Sequence, residues 1–220
     1  GSGGNPGNGG NGGAIVNVAS IAGQRGSALV FDGATQYGYY TATPDVDTGL
    51  PVSRAGVYSV AFWVKGAAKQ TDRRVFSESN SLESNNNPLV NIGTHTSGTD
   101  GTVDLFYRDG AGVAQLNHLH SPGAAYDDAW HHVALVDVMG AVTLYLDGNT
   151  NLTAKYTRAL PAQDTTSLAA IVRANGANIG AYFAGTIDDV AVWDRALTWD
   201  EVKDVMANGV PTSAPAFAPF

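Results

Sequence analysis

Cysteine is absent from the 220 residues, so neither disulfides nor thiolate metal sites are available. That leaves the compartment open, because exported and cytosolic domains both manage without it. Glutamate is scarce, with only Glu78, Glu83 and Glu201. Charged residues make up 15% of the chain, against about 25% in an average globular protein. Gly, Asn, Thr and Ser take their place, a balance that favours strands and turns over long surface helices. No apolar stretch approaches the roughly 18 residues of a membrane span. No secretory leader is recognisable, though a mature fragment would already have lost one. Basic residues are few: 12 Lys and Arg stand against 20 Asp and Glu, for a formal net charge of −8, and no basic run exceeds Arg73–Arg74. This argues against nucleic acid, whose binding rests on Lys and Arg contacts to phosphates. Neither a Gly-x-Ser-x-Gly elbow nor a phosphate-binding glycine loop is present.

What is present sorts into three parts. Residues 1–13, GSGGNPGNGGNGG, have no apolar area to bury and read as a flexible linker that would tether a module to other domains of a larger protein. Residues 211–220 form a Pro- and Ala-rich tail, expected to be extended. Residues 14–210 read as one folded unit, a size typical of a single all-β domain.

Within that unit, short β-rich runs recur between turn signals. Tyr58–Val64 alternates Val60, Phe62 and Val64 against Ser59, Ala61 and Trp63. Arg74–Ser77, Leu89–Ile92, Val103–Tyr107, Trp130–Val136, Ala141–Leu146 and Thr186–Trp193 are comparable runs. Asp-Gly follows three of the runs, at Asp32, Asp109 and Asp147, where glycine supplies a positive φ without steric cost. About ten or more strands with no interior helix predict an all-β fold of two packed antiparallel sheets. One helix is expected, over Trp199–Ala207. It starts with a Thr198/Glu201 capping box, presents Trp199, Val202 and Met206 on one face, and stops at Asn208-Gly209.

Four segments in order carry a resemblance: Ala28-Leu-Val-Phe-Asp-Gly33, Tyr58–Lys65, Trp130-His-His-Val-Ala-Leu-Val136 leading to Leu144-Tyr-Leu-Asp-Gly148, and Gly185-Thr-Ile-Asp-Asp-Val190 with Asp194–Thr198. Together they resemble a laminin G-like jelly-roll domain of the concanavalin A-like lectin/glucanase superfamily. The resemblance implies a two-sheet antiparallel jelly-roll sandwich with one short C-terminal peripheral helix. It also implies a ligand surface on the concave face or loop rim, and often a structural calcium. Domains of this kind are common as accessory modules of exported bacterial proteins, which makes a secreted or cell-surface location the expectation.

Calcium takes six to eight oxygen ligands. The resemblance points to Asp32 and Asp188 for it, with Asp189 as the alternate, because neighbours on a strand face opposite ways. The other reading is that these aspartates cap turns and face solvent. Asp45, Asp47, Asp127 and Asp128 are weaker candidates, read first as solvated loop residues. Paired histidines can hold zinc or copper. His118 and His120, however, fall in an edge or loop, and His131 and His132 sit in the Trp-His-His-Val motif as packing residues.

Laminarinase-type enzymes of the superfamily place their carboxylates as Glu-x-Asp-x-x-Glu or a shortened form, and no such motif occurs here. The remaining function is sugar binding, by aromatic faces and a few polar groups. If the apolar residues of each strand point inward, Trp63, Asn91, Phe106 and Arg108 point outward, and if the strands pair in sequence, Arg73, Glu78 and Asn80 border the same surface. The candidate ligand residues are therefore Trp63, Glu78, Asn80, Asn91 and Arg108. The reading is a non-catalytic carbohydrate-binding module with a polysaccharide or glycan as its partner. The alternatives are a structural or protein-interaction (adhesion) domain, and a divergent polysaccharide hydrolase or lyase.

Overall fold

The computed structural model describes residues 15–17, 28–42, 50–158 and 163–210. The expected linker and tail, and Asp45 and Asp47, lie outside the described residues. Among the described residues the strands are β1 (Ile15–Asn17), β2 (Leu29–Asp32), β3 (Gly38–Thr41), β4 (Val57–Lys65), β5 (Arg74–Ser79), β6 (Leu89–Thr94), β7 (Thr102–Arg108), β8 (Ala114–Ala124), β9 (His131–Val138), β10 (Ala141–Leu146), β11 (Asn149–Lys155), β12 (Thr165–Leu168), β13 (Ile171–Arg173), β14 (Asn178–Gly180) and β15 (Ala184–Trp193). The α-helix is α1 (Trp199–Asn208). A seven-stranded sheet runs β1-β15-β4-β9-β10-β11, with β2 also paired to β15. A six-stranded sheet runs β3-β12-β5-β6-β7-β8, and β13 and β14 form a separate hairpin. Their strand pairings are antiparallel, as a jelly-roll sandwich requires.

Strand alternation decides which residues meet between the sheets. Val60, Phe62 and Val64 of β4, Val133 and Leu135 of β9, and Val142 and Leu144 of β10 point inward. They meet Phe76 of β5, Val90 and Ile92 of β6, and Val103, Leu105 and Tyr107 of β7 in one cluster. Each such side chain contributes about 1.5–3 kcal/mol relative to exposure, so this row holds the two layers together. The Tyr58 and Tyr107 hydroxyls lie 3.2 Å apart across the gap. The Asp147-Gly148 turn between β10 and β11 has φ of 50° and 72°, the two left-handed positions of the tightest hairpin turn.

Three strands are not signalled by apolar alternation. β11 and β12 are rich in Thr, Asn and Ser, and their places come from pairing with β10 and with β5 and β3. β8, which holds His118 and His120, is the edge strand of the six-stranded sheet.

Helix α1 starts as expected: Glu201 donates its amide to Thr198 Oγ1, and Thr198 donates its amide to the Glu201 carboxylate, closing the capping box. It lies on the outer face of the seven-stranded sheet, where Ala61, Ala134 and Ala191 leave room for Val202 and Val205 to approach closely. The expected Trp199 contact differs. The indole is 49% exposed, donates Nε1 to the Gly148 carbonyl at 2.8 Å, and carries the Lys203 ammonium over its ring. A bulky ring in the first turn reaches past the small-residue floor to the sheet's rim.

Candidate functional site

Residues paired across neighbouring strands share a face. In the six-stranded sheet, Tyr39 pairs with Ser167, Ser167 with Ser77, Ser77 with Asn91, and Asn91 with Phe106. The adjacent row, Leu168, Phe76, Ile92 and Leu105, belongs to the core. The row from Tyr39 to Phe106 therefore faces away from the other sheet. At its end the His118 ring lies flat on Phe106, with centroids 4.0 Å apart and planes 7° apart. A left-handed backbone at His118 (φ 52°) and irregular β7–β8 register accompany this placement. The Arg108 guanidinium stands 5.9 Å from the same ring centroid and donates to the Gly112 carbonyl at 2.6 and 3.1 Å.

The β13–β14 hairpin leans over this face. Ile171 packs on Leu89 and Phe106, joined by Ala181, and the Ala181 carbonyl accepts the Arg74 amide at 2.9 Å. A second row, Arg74–Gly93–Asp104–His120, runs beside the first. Gly93 is required there, because a Cβ would run into the Arg73 carbonyl and sit 3.1 Å from Asn91 Nδ2. Asp104 is fully buried between His118 Nδ1 at 3.1 Å and His120 Nε2 at 3.0 Å. Burial raises its pKa, and the two histidines and Arg74 only partly offset that. His120 Nε2 stands at that 3.0 Å distance without hydrogen-bond alignment. Arg74 Nε, Asn91 Nδ2 and Arg173 Nε are buried on this face without a hydrogen-bond partner. On the far side of the hairpin, Tyr37 meets Tyr39 and Tyr182, each at 6.0 Å between centroids.

The structure thus brings Asn91 and Arg108 together around Phe106. The other expected ligand residues lie elsewhere. Glu78 points into the sandwich, fully buried, where its carboxylate accepts the Val52 and Ser53 amides at 2.5 and 2.8 Å and the Thr166 hydroxyl. It fixes the 3-10 turn at Val52–Arg54 and does not reach the surface. Asn80 lies past the end of β5, where its side chain accepts the Leu82 amide at 2.7 Å. Trp63 is on the outer face of the other sheet, edge-on to His132 at 5.3 Å. Arg74, Asp104, His118 and Arg173 were not singled out as ligand residues. For Arg74 the only signal was its adjacency to Arg73, and Arg173 enters through a hairpin without a long periodic run.

The acidic residues are also placed differently from the calcium expectation. Asp32 is opposite Ala184 on β15, so Asp188 stands four residues further along, about 13 Å at strand rise. Asp32 is occupied within its own turn. It accepts the Ala34, Thr35 and Gln36 amides and the Thr35 hydroxyl, which hold it well below the usual carboxylate range. Asp188 and Asp189 do not face apart as strand neighbours should. The β4 register shifts between Asp188 and Ala191, Asp189 has φ 48°, and both flanking residues, Ile187 and Val190, face the core. The bulge leaves both aspartates off the core face. Asp32 and Asp188 do not make one cage, and among the described residues no group of three or more His, Asp or Glu side chains converges as one.

A cleft of about 30 Å³ lies near Tyr107, Arg108, Tyr156 and Arg158. That volume suits a water molecule and is too small for a sugar ring. Among the described residues no helix is long and apolar enough to cross a membrane.

A family model described as the concanavalin A-like lectin/glucanases superfamily matches residues 32–203. Sequence comparison with curated proteins gave no match. Among solved structures, the chain is similar to domain 4 of AbnA, an extracellular arabinanase of Geobacillus stearothermophilus, solved with arabinotriose. The identity is 20%, covering 88% of this chain and 82% of that one, with a TM-score of 0.58. It is also similar to the CBM40 of the Ruminococcus gnavus IT-sialidase, solved with α2,3-sialyllactose, at 16% identity over 81% and 95% of the two chains and a TM-score of 0.61. The heptameric SAP-like pentraxin of Limulus polyphemus is 22% identical over 71% and 72%, with a TM-score of 0.55. At these identities the likeness is one of fold.

Proposed function

The chain belongs to the concanavalin A-like lectin/glucanases superfamily, and from that premise we propose that it is a non-catalytic carbohydrate-binding module of a larger exported protein, directed at a polysaccharide. The observation that carries the proposal is the outer face of the six-stranded sheet. There the partly exposed ring of His118 lies stacked on the buried Phe106, with the Arg108 guanidinium beside it. Saccharides are held by this mix of apolar ring faces and a few directed polar groups. The fold likeness to two domains solved with oligosaccharides supports the reading.

The glutamates support the non-catalytic part. Hydrolysis of a glycosidic bond uses two carboxyl groups about 5–10 Å apart across it. Glu78 is spent inside the sandwich on backbone amides, and Glu201 closes the helix cap. Asp104, the buried carboxylate at the site, is held between two histidines. A tethered module of this kind raises the local concentration of its parent protein on a polymer surface.

The test is a panel of plant, algal and host glycans measured by affinity electrophoresis and calorimetry, with product release followed in parallel. The expected result is binding without release of reducing ends. His118→Ala or Asn91→Ala should weaken it about tenfold, the scale of one lost directed contact, while Trp63→Ala has no effect. No binding across the panel, or loss of binding on Trp63→Ala alone, contradicts the proposal.

A further inference from the structure

We infer that Asp104 is the positioning residue of this face: it holds the proton of the neutral His118 ring on Nδ1 and so presents Nε2 as a hydrogen-bond acceptor for a sugar hydroxyl. The inference rests on the carbohydrate-binding reading and deepens it, naming the group that takes the sugar and the chemistry of the contact.

Three observations carry it. The first is the pair itself. His118 Nδ1 stands 3.2 and 3.1 Å from Asp104 Oδ1 and Oδ2 in hydrogen-bond geometry. An ionised carboxylate only accepts, so the hydrogen between them belongs to Nδ1. In the neutral ring Nε2 then carries a lone pair and no hydrogen, since the partner of one imidazole nitrogen sets the state of the other.

The second observation is exposure. Asp104 is fully buried, and one face of the His118 ring lies on Phe106. The 25% of the side chain that stays exposed is the part turned away from both. Among the described residues the ring makes no other hydrogen bond. The other histidines set against carboxylates differ: His131 commits one nitrogen to Asp147 and the other to Asp127, and Nε2 of His120 is buried. The His118 backbone is left-handed, with φ 52°. A non-glycine residue keeps that conformation only where its surroundings impose it, as at ligand clamps.

The third is the neighbour. Arg108 gives Nε and Nη2 to the Gly112 carbonyl, which leaves Nη1 as a donor beside the same Phe106 ring. A fixed acceptor near a fixed donor suits the hydroxyls of a sugar, each of which both donates and accepts. A carboxylate or sulfate has no hydrogen to give Nε2. The contact is therefore made by hydroxyls of a neutral sugar unit.

The experiment is NMR of the isotope-labelled imidazole nitrogens in the 220-residue chain. It is recorded where the spectrum shows the His118 ring uncharged, with and without neutral arabino-, galacto- and gluco-oligosaccharides. In the free chain the His118 proton should be on Nδ1, and the tightest-binding oligosaccharide should move the Nε2 signal. Asp104→Asn keeps the shape of the side chain and removes the charge that fixes the tautomer. The proton should pass to Nε2 and affinity should fall about tenfold, the scale of one lost directed contact. His118→Asn should lose as much, because it keeps a donor for Asp104, tolerates the left-handed backbone and has no Nε2. A free chain with the proton on Nε2, an Nε2 signal unmoved by binding, unchanged affinity in His118→Asn, or binding of acidic glycans only overturns the inference and leaves the carbohydrate-binding reading standing. No binding to any glycan, neutral or acidic, overturns both. The tautomer is read on the unaltered chain, so it decides the matter even if Asp104→Asn fails to fold.

Discussion

His131 and His132 are neighbours in sequence with opposite surroundings. His131 is gripped by Asp147 at 2.8 Å and Asp127 at 3.1 Å. Burial lowers its pKa, but the two carboxylates outweigh that and leave it raised above 6.5. His132 is 1% exposed beside Trp63, and burial pushes it down to about 4, with Asp147 a minor counterweight. The two make opposite contributions to stability. That of His131 is present in full below the unfolded value of 6.5 and is lost as pH rises through its raised folded value. For His132, the unfolded chain takes up a proton between pH 6.5 and about 4 that the folded chain refuses. Stability therefore falls with falling pH across that window, by up to about 3 kcal/mol at 1.36 kcal/mol per unit. NMR titration should give one ring above 6.5 and one near 4, and His132→Gln should flatten the acid side of the unfolding profile. Two ordinary histidine titrations would contradict this account.

At the scale of elements, helix α1 covers the outer face of one sheet, and the hairpin β13–β14 leans over the other. The helix rests on its cap: Thr198→Ala removes the hydroxyl that accepts the Glu201 amide and should cost about 1 kcal/mol. Urea unfolding measures this, and a change under a few tenths would show that packing of Val202 and Val205 alone holds the helix. The helix and β4 were legible in the sequence because capping chemistry and strict alternation are local signals. β11 and β12 were not, since their polar residues are fixed by pairing partners distant in sequence. The bulge at Asp188–Asp189 defeats the two-residue period, and so the strand rule placed these aspartates on opposite faces.

For the whole molecule, the outward row was partly legible: Asn91, Phe106 and Arg108 followed from alternation on β6 and β7. Glu78 was placed with them because strands that pair in sequence bring its run beside theirs. It is instead buried, because the 3-10 turn at Val52–Arg54 needs an acceptor for two amides inside the sandwich. Arg74, His118 and Arg173 come to the site through register shifts and a hairpin, which no local pattern encodes. The central claim is that the outer face of the six-stranded sheet is the glycan-binding surface. Its most direct test is amide chemical-shift mapping during titration with whichever oligosaccharide binds most tightly. The account predicts shifts concentrated at Asn91–Gly93, Asp104–Arg108, His118–His120 and Ile171–Arg173. Shifts concentrated around Trp63, His132 and Asp188 on the other sheet would contradict it.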